Sequence, residues 1–205
     1  MDSKTINRLR DNFSSRNIQT EFFKSLAEVK DYILNSIPPN CAVGIGHSVT
    51  LQAMDITNAL VSRGNIVFDK ELASTKEECN DIKRKALLTD FYISGSNAIS
   101  EDGRIVNVDH SGNRVAALTF GPEKVFIVVG TNKIAANLDE AIKRVKNIAC
   151  PLNAKRAGFN PPCVTLNKCV DCLSKERVCN TLSIIEGQSN PSRIKLLIID
   201  DNFGF

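Results

Sequence analysis

Apolar residues recur along this chain in alternating helical and strand registers, and the alternation predicts a layered α/β fold. Over residues 1–37, Ile6, Leu9 and Phe13, then Leu26, Val29 and Ile33, fall at helical spacing with a break near Ser14–Thr20. They read as N-terminal helices, ended by Pro38-Pro39-Asn40. "CAVGIG" (41–46) reads as a short buried strand entering a glycine turn, and Leu51, Met54, Ile56 and Leu60 as the inner face of a helix over 50–63. "IVFD" is a strand, residues 74–88 are a charged helix with Cys79, Ile82, Ala86 and Leu87 inside, and Phe91–Ile93 is a strand opening into a polar turn. "IVNVD" alternates like a strand and "SGN" turns the chain into "RVAALTF", a hairpin insertion around 99–120. "KVFIVVG" (124–130) is continuously apolar, as a strand between two covering layers must be. Leu138, Ile142, Val145 and Ile148 form one helical stripe ahead of Pro151, and "RIKLLIID" (193–200) is a late strand.

Helices alternating with buried strands specify a mainly parallel sheet flanked by helices, with a β-hairpin insertion. The 205 residues suffice for one substantial core, so the chain reads as a single domain, 1–205. A cysteine-rich segment over 160–182 interrupts the alternation between the last helix and the last strand, with few apolar residues of its own to pack.

Charge narrows the function classes. Lys and Arg number 26 against 23 Asp and Glu, and the basic residues are scattered. With two tyrosines, no tryptophan and no basic–aromatic interleaving, a nucleic-acid partner is not expected. No run approaches the roughly 20 apolar residues of a membrane span. The first 20 residues carry Asp2, Lys4, Arg8, Arg10 and Asp11 instead of a signal-peptide core. The expectation is a cytoplasmic protein with no membrane partner. An odd cysteine count, seven, without an export signal argues against disulfides and for free thiols and metal ligands.

Four of those cysteines, Cys163, Cys169, Cys172 and Cys179, are spaced C-x5-C-x2-C-x6-C. Four thiolates suit tetrahedral zinc or a [4Fe-4S] cluster. The spacing is neither the paired C-x2-C of a zinc ribbon nor the ferredoxin run, so it leaves both open. Lys155, Lys168, Lys175 and Arg177 lie nearby to offset negative charge. Cys41, Cys79 and Cys150 read as ordinary small buried residues, with Cys150 the one placed to reach the segment as a reserve ligand.

Three polar turns follow strands, where open α/β sheets carry their ligand crevices. "GIGHSVT" offers backbone N–H groups around Gly44 and Gly46 and the hydroxyls of Ser48 and Thr50; it is neither a P-loop nor a dinucleotide fingerprint. His47 is there either as a loop residue or as a base. "SGSNAISEDG" brings Ser96 and Asn97 to the end of a strand, with Glu101-Asp102-Gly103 as a solvated turn. "DHSGNR" groups Asp109, His110, Asn113 and Arg114; Arg114 either grips a carboxylate or phosphate or pairs with Asp109 to hold the turn. Asn132 and Lys133 follow the strongest strand, Lys133 as a plausible anion contact. No paired carboxylates and no serine–histidine–acid set stand out.

Together "VGIGHSVTLQAMDI", "LVSRGNIVFD", the long stretch from Thr89 to Arg156 and the cysteine tail resemble the LUD domain family of lactate-utilisation proteins, from about residue 20 onward. The resemblance implies the NagB/RpiA/CoA-transferase-like fold and a link to organic-acid (lactate) oxidation beside iron–sulfur or redox partner subunits. It implies a crevice lined by Gly44, Gly46, Ser48, Thr50, Ser96, Asn97, Asp109, Asn113, Arg114, Asn132 and Lys133. The ligand expected there is a small anion, a carboxylate or a phosphorylated compound. The redox link tilts the cysteine segment toward a [4Fe-4S] cluster, with zinc as the alternative. Against an enzyme stands a non-catalytic subunit or ligand sensor with a structural zinc site. Oligomeric state stays open.

Overall fold

The computed structural model describes all 205 residues. Its centre is a six-stranded sheet, all parallel, in the order β1 (Gln19–Phe23), β10 (Ile194–Ile199), β7 (Lys124–Gly130), β4 (Phe91–Gly95), β2 (Ala42–Ile45), β3 (Ile66–Asp69). The middle strands are apolar on both faces because both faces are covered. In β7, Val125, Ile127 and Val129 join one core while Phe126 and Val128 join the other; in β10, Ile194, Leu196 and Ile198 face the first and Leu197 and Ile199 the second. α1 (Ser3–Ser14) closes the first core with Leu9 and Phe13, and α2 (Leu26–Ser36) closes the second with Val29 and Ile33.

A second sheet of four strands, β8 (Ile134–Ala135), β5 (Ala98–Ser100), β6 (Ile105–Asp109) and β9 (Thr181–Ile185), sits beside the first. β5 and β6 pair antiparallel, the expected hairpin, and β9 adds to β6 antiparallel. A small third core of Ala98, Val106, Ala141, Val145 and Cys150 packs under it.

Four expectations change. The N-terminal 1–37 are not helices alone: β1 lies between them as an edge strand. Its register comes from distant β10, Gln19 opposite Lys195, so nothing local in the half-exposed "QTEFF" announces it. "RVAALTF" is not the second arm of the hairpin but a helix, α6 (Asn113–Thr119). The Asp109 carboxylate accepts from the N–H groups of Arg114 (2.9 Å) and Val115 (3.4 Å), neutralising the open helix start, and Gly112 takes the left-handed turn (φ 83°) that begins it. The expected helix over 50–63 is two, α3 (Val49–Met54) and α4 (Ile56–Ser62), broken at Asp55 with φ 50°. Finally, Pro151 does not stop the helical run that begins with α7 (Leu138–Arg144). The chain widens into a π-helical turn at Val145–Ala149, which accommodates the proline's missing N–H, and continues as α8 (Cys150–Arg156). α5 (Lys76–Lys85) and α9 (Pro162–Leu166) complete the set.

No helix is long and apolar enough to cross a membrane.

Candidate functional site

The carboxyl ends of β2, β4, β6 and β7 deliver their following turns to one crevice of about 230 Å³. That leaves room for a small metabolite. Of the residues expected there, Ser48, Ser96, Asn97, Asp109, Asn113, Arg114 and Lys133 line it.

Gly44 and Gly46 lie away from it and have a packing task. A methyl group on Gly44 would stand 2.6 Å from the Tyr92 ring and 2.9 Å from the Ala86 carbonyl; one on Gly46 would stand 2.7 Å from Ser94 Oγ. Their bare backbones let β2 lie against β4 and the turn before it. Asn132 also stays outside the lining: its amide ties down the chain end, Nδ2 donating to Gly204 O (3.1 Å) and Oδ1 accepting from Phe203 N (3.2 Å). Thr50 is 1 % exposed behind the crevice, and its hydroxyl has no partner.

The two cations at the centre differ in kind. Arg114 spends its guanidinium on the protein. Nη1 donates to Gly95 O (3.2 Å) and Asn107 Oδ1 (2.5 Å), and Nη2 to Asn97 Oδ1 (2.8 Å) and Val108 O (2.7 Å). It bonds the ends of β4 and β6 together and does not pair with the Asp109 carboxylate, which caps α6. Lys133 spends nothing. It is 3 % exposed, makes no hydrogen bond or ion pair, and the charges acting on it are the arginines 144 and 114. Burial first, then those two charges, push its amine down to about 8. Arg144 is itself occupied, donating to Asn132 O (2.9 Å) and Asn97 O (2.6 Å).

Several lining residues were not foreseen as ligand contacts. Lys70 and Lys83 come from the β3–α5 region, Asn153 and Arg156 from α8, Phe159 from the loop after it, and Phe205 from the chain end. Arg156 lies over the Phe205 ring at 6.0 Å and touches His47 Nε2. Burial, with Lys70 and Arg156 nearby, lowers the His47 pKa and keeps the ring neutral; its Nδ1 lies 2.8 Å from Glu71 Oε1, off the hydrogen-bonding direction. His110 packs against Phe159 with the rings tilted by 49° and their centroids 5.3 Å apart. Asp109 is the one carboxylate among the lining side chains, and its oxygens are committed to N–H groups. The crevice therefore presents net positive charge: Glu71 pairs with Lys70 (3.5 Å), Asp109 is held by N–H groups, and neither pairs with Lys133.

A second cavity, about 170 Å³, gathers sulfur. Cys163, Cys169, Cys172 and Cys179 line it, and so does Cys150 from the first turn of α8. No three His, Cys, Asp or Glu side chains converge closely enough for one metal ion; the five thiols instead surround a larger void. The neighbouring Cys150 thiol and the Arg177 charge lower the Cys179 pKa, whereas burial and the neighbouring sulfurs raise that of Cys163. Arg177 holds the loop, donating to Cys172 O (2.8 Å) and Cys179 O (3.2 Å). The two cavities share a wall: Val108 lines both, and Val178 faces the crevice between Arg177 and Cys179, which face the sulfurs. Soft sulfur donors are the right chemistry for zinc or an iron–sulfur cluster, but in this arrangement they do not converge on one ion.

A family model described as the LUD domain matches residues 6–199. No curated protein matches the sequence. Among solved structures, a DUF162 family protein from Deinococcus radiodurans is similar with a TM-score of 0.56 at 16% identity, over 96% of this chain and 97% of that one. That likeness shows the fold. Ribose 5-phosphate isomerase A from Neisseria gonorrhoeae aligns over 57% of each chain with a TM-score of 0.37 and 16% identity. Ribose 5-phosphate isomerase from Plasmodium falciparum aligns over 55% of this chain and 53% of that one, with a TM-score of 0.36 and 13% identity.

Proposed function

The chain belongs to the LUD domain family, and we propose that it binds a small organic anion in its crevice as part of organic-acid redox metabolism, lactate utilisation being the family's link. One observation carries this reading: Lys133 is 3 % exposed at the crevice wall with no anionic partner from the protein. A buried ammonium without a counter-ion costs several kcal/mol in general and persists where a ligand supplies the charge. The more exposed cations Lys70, Lys83 and Arg156 draw the anion in, while Ser48, Ser96 and Asn113 offer neutral hydrogen bonds to orient it. Ligands of the fitting size are hydroxy- or oxo-carboxylates and small phosphorylated compounds.

We further propose that Cys163, Cys169, Cys172 and Cys179 hold a [4Fe-4S] cluster, Cys150 standing beside them. Such a cluster, when bound, exchanges single electrons. The shared wall at Val108 and Val178 puts the two cavities back to back, which is the arrangement electron exchange with a crevice ligand needs. The protein's own residues position the site: Arg177 clasps the thiol loop, and Asn180 ties it to the crevice turn through Asp109 O (3.0 Å) and His110 O (3.1 Å).

Two measurements test the reading. A thermal-shift screen of carboxylates and phosphates against neutral and cationic controls should raise the melting temperature with small anions alone. Anaerobic purification should give a broad band near 400 nm and about four iron and four sulfide per chain. One zinc and no colour would replace the cluster with a structural clip, and a flat anion screen would remove the crevice function.

A further inference from the structure

Large apolar side chains stand exposed at twelve positions, and seven of these fall between residues 148 and 184. Singly such residues need no explanation; gathered on one face they mark a contact surface. Here they gather around the mouth of the thiol cavity. Val170 and Leu182 line that cavity while 45 % and 44 % exposed. Leu173 follows Cys172 and projects into solvent, and Ile184 lies two residues beyond Leu182 on the same side of β9. Ile148 is brought alongside by its neighbour Asn147, whose side chain accepts from Cys169 N (2.9 Å). The same stretch is basic: residues 143–179 carry eight Lys and Arg against two Asp and Glu, an excess of six in a chain whose whole excess is three. The rest of the chain is therefore net acidic. One of those two acids, Asp171, is spent on Arg177 (3.6 Å), while Lys168 and Lys175 stand exposed.

The same face contains a strand edge. β9 ends the four-stranded sheet, pairing with β6 on one side only, and its residues Thr181–Ile185 hold no charge and no proline. Charged residues and prolines are what keep exposed edges from accepting another strand. We propose that this face docks a partner protein that lays an extended segment along β9. The segment's apolar side chains meet Val170, Leu173, Leu182 and Ile184, and its acidic flanks meet Lys168 and Lys175. Main-chain hydrogen bonds supply affinity, and the basic rim selects acidic sequences. A second copy of this chain fits less well, because self-pairing about a two-fold axis sets the same basic rim against itself. An anionic lipid surface matches the charge but leaves the β9 backbone groups unpaired. A partner seated here covers the mouth of the thiol cavity, and its docking depends neither on the crevice ligand nor on what the sulfurs hold.

The test uses the full-length protein, purified without oxygen, and a short blocked peptide of alternating valine and threonine with glutamates at both ends. Calorimetry measures binding, and amide hydrogen exchange locates it. The expected result is saturable binding, with exchange slowed about tenfold over Thr181–Ile185. A lysine-ended peptide should bind about tenfold more weakly, and a glutamate-ended peptide with a central proline should not bind. Leu182→Asp combined with Ile184→Asp should abolish binding; unchanged exchange across β7 shows that the fold is kept. Should that variant fail to fold, Lys168→Glu combined with Lys175→Glu should weaken the glutamate-ended peptide about fivefold. Equal binding of the proline peptide overturns strand addition. A dimer in sedimentation that Leu182→Asp dissociates puts a second copy on this face. Binding to phosphatidylglycerol vesicles that Leu173→Ser removes, without peptide binding, puts a membrane there. Either result overturns the acidic partner, as does no binding of the glutamate-ended peptide at low salt.

Discussion

The crevice and the thiol cavity lie against one another yet are built by opposite means. The crevice sits on strand ends and is held by the protein's own bonds: Arg114, Asn97, Asn107 and Asp109 bond one another and the surrounding backbone, with Asn107 Nδ2 left without a partner. The thiol cavity hangs on residues 167–180, which contain no helix or strand and leave Leu173 95 % exposed. One site is shaped by the protein's own bonds, with its buried lysine, Lys133, left unpaired. The other has donors in place and little packing to hold them. The difference teaches where each site draws its order: from the fold in the first case and, on the reading proposed above, from a bound cluster in the second.

That contrast breaks most visibly at the sulfurs. Cys172→Ser should abolish bound metal and raise amide exchange across 160–180, while anion affinity in the crevice changes less than about threefold, since Asn180 joins the loop to the crevice turn at Asp109 O and His110 O and not to Lys133 or Arg114. Loss of the crevice along with the metal would show that the two sites form one unit.

Lys133→Met should weaken anion binding about a hundredfold, the value of one buried charge-assisted contact. It should also stabilise the fold by about 3 kcal/mol at pH 7, because folding no longer buries an ammonium. The pH dependence has a definite sign. Lys133 has a lower pKa folded, about 8, than its ordinary 10.5, so the folded chain binds fewer protons between those values. The burial penalty is complete below about 8 and is gone above about 10.5, and the advantage of the methionine variant should fade over that window in urea unfolding curves.

Arg114→Ala should cost about 3 kcal/mol of stability, since two carbonyl and two amide oxygens lose a charged donor, although Gly95 O, Asn107 Oδ1 and Asn97 Oδ1 each keep one other partner. A stable variant with lost anion affinity would instead make Arg114 a ligand group. Gly44→Ala should cost about 2 kcal/mol by overpacking against Tyr92 and the Ala86 carbonyl, with anion affinity unchanged.

The sequence made much of the sheet readable. β7 and β10 are apolar on both faces, and that continuity appears in any window of the chain. β1 and β9 were hidden because each owes its place to a distant strand, β10 and β6, and neither alternates cleanly. α6 passed for a strand because its cap, Asp109, stands four residues before the helix begins. In the crevice, the turns after strands directed attention to Ser48, Asn97, Asp109 and Lys133, yet sequence alone could not distinguish a saturated arginine from an unsatisfied lysine. That distinction depends on Asn97 and Asn107 meeting Arg114 in space. Arg156 and Phe205 reach the crevice from segments far from any polar turn, and no local pattern marks them.

The most direct test of the account is calorimetric titration of the wild-type protein and Lys133→Met with the small anions that raise the melting temperature. The account predicts saturable one-site binding to the wild type, about a hundredfold weaker in a variant that is more stable at pH 7. Equal affinity in the two proteins, or a variant less stable than the wild type, would contradict it.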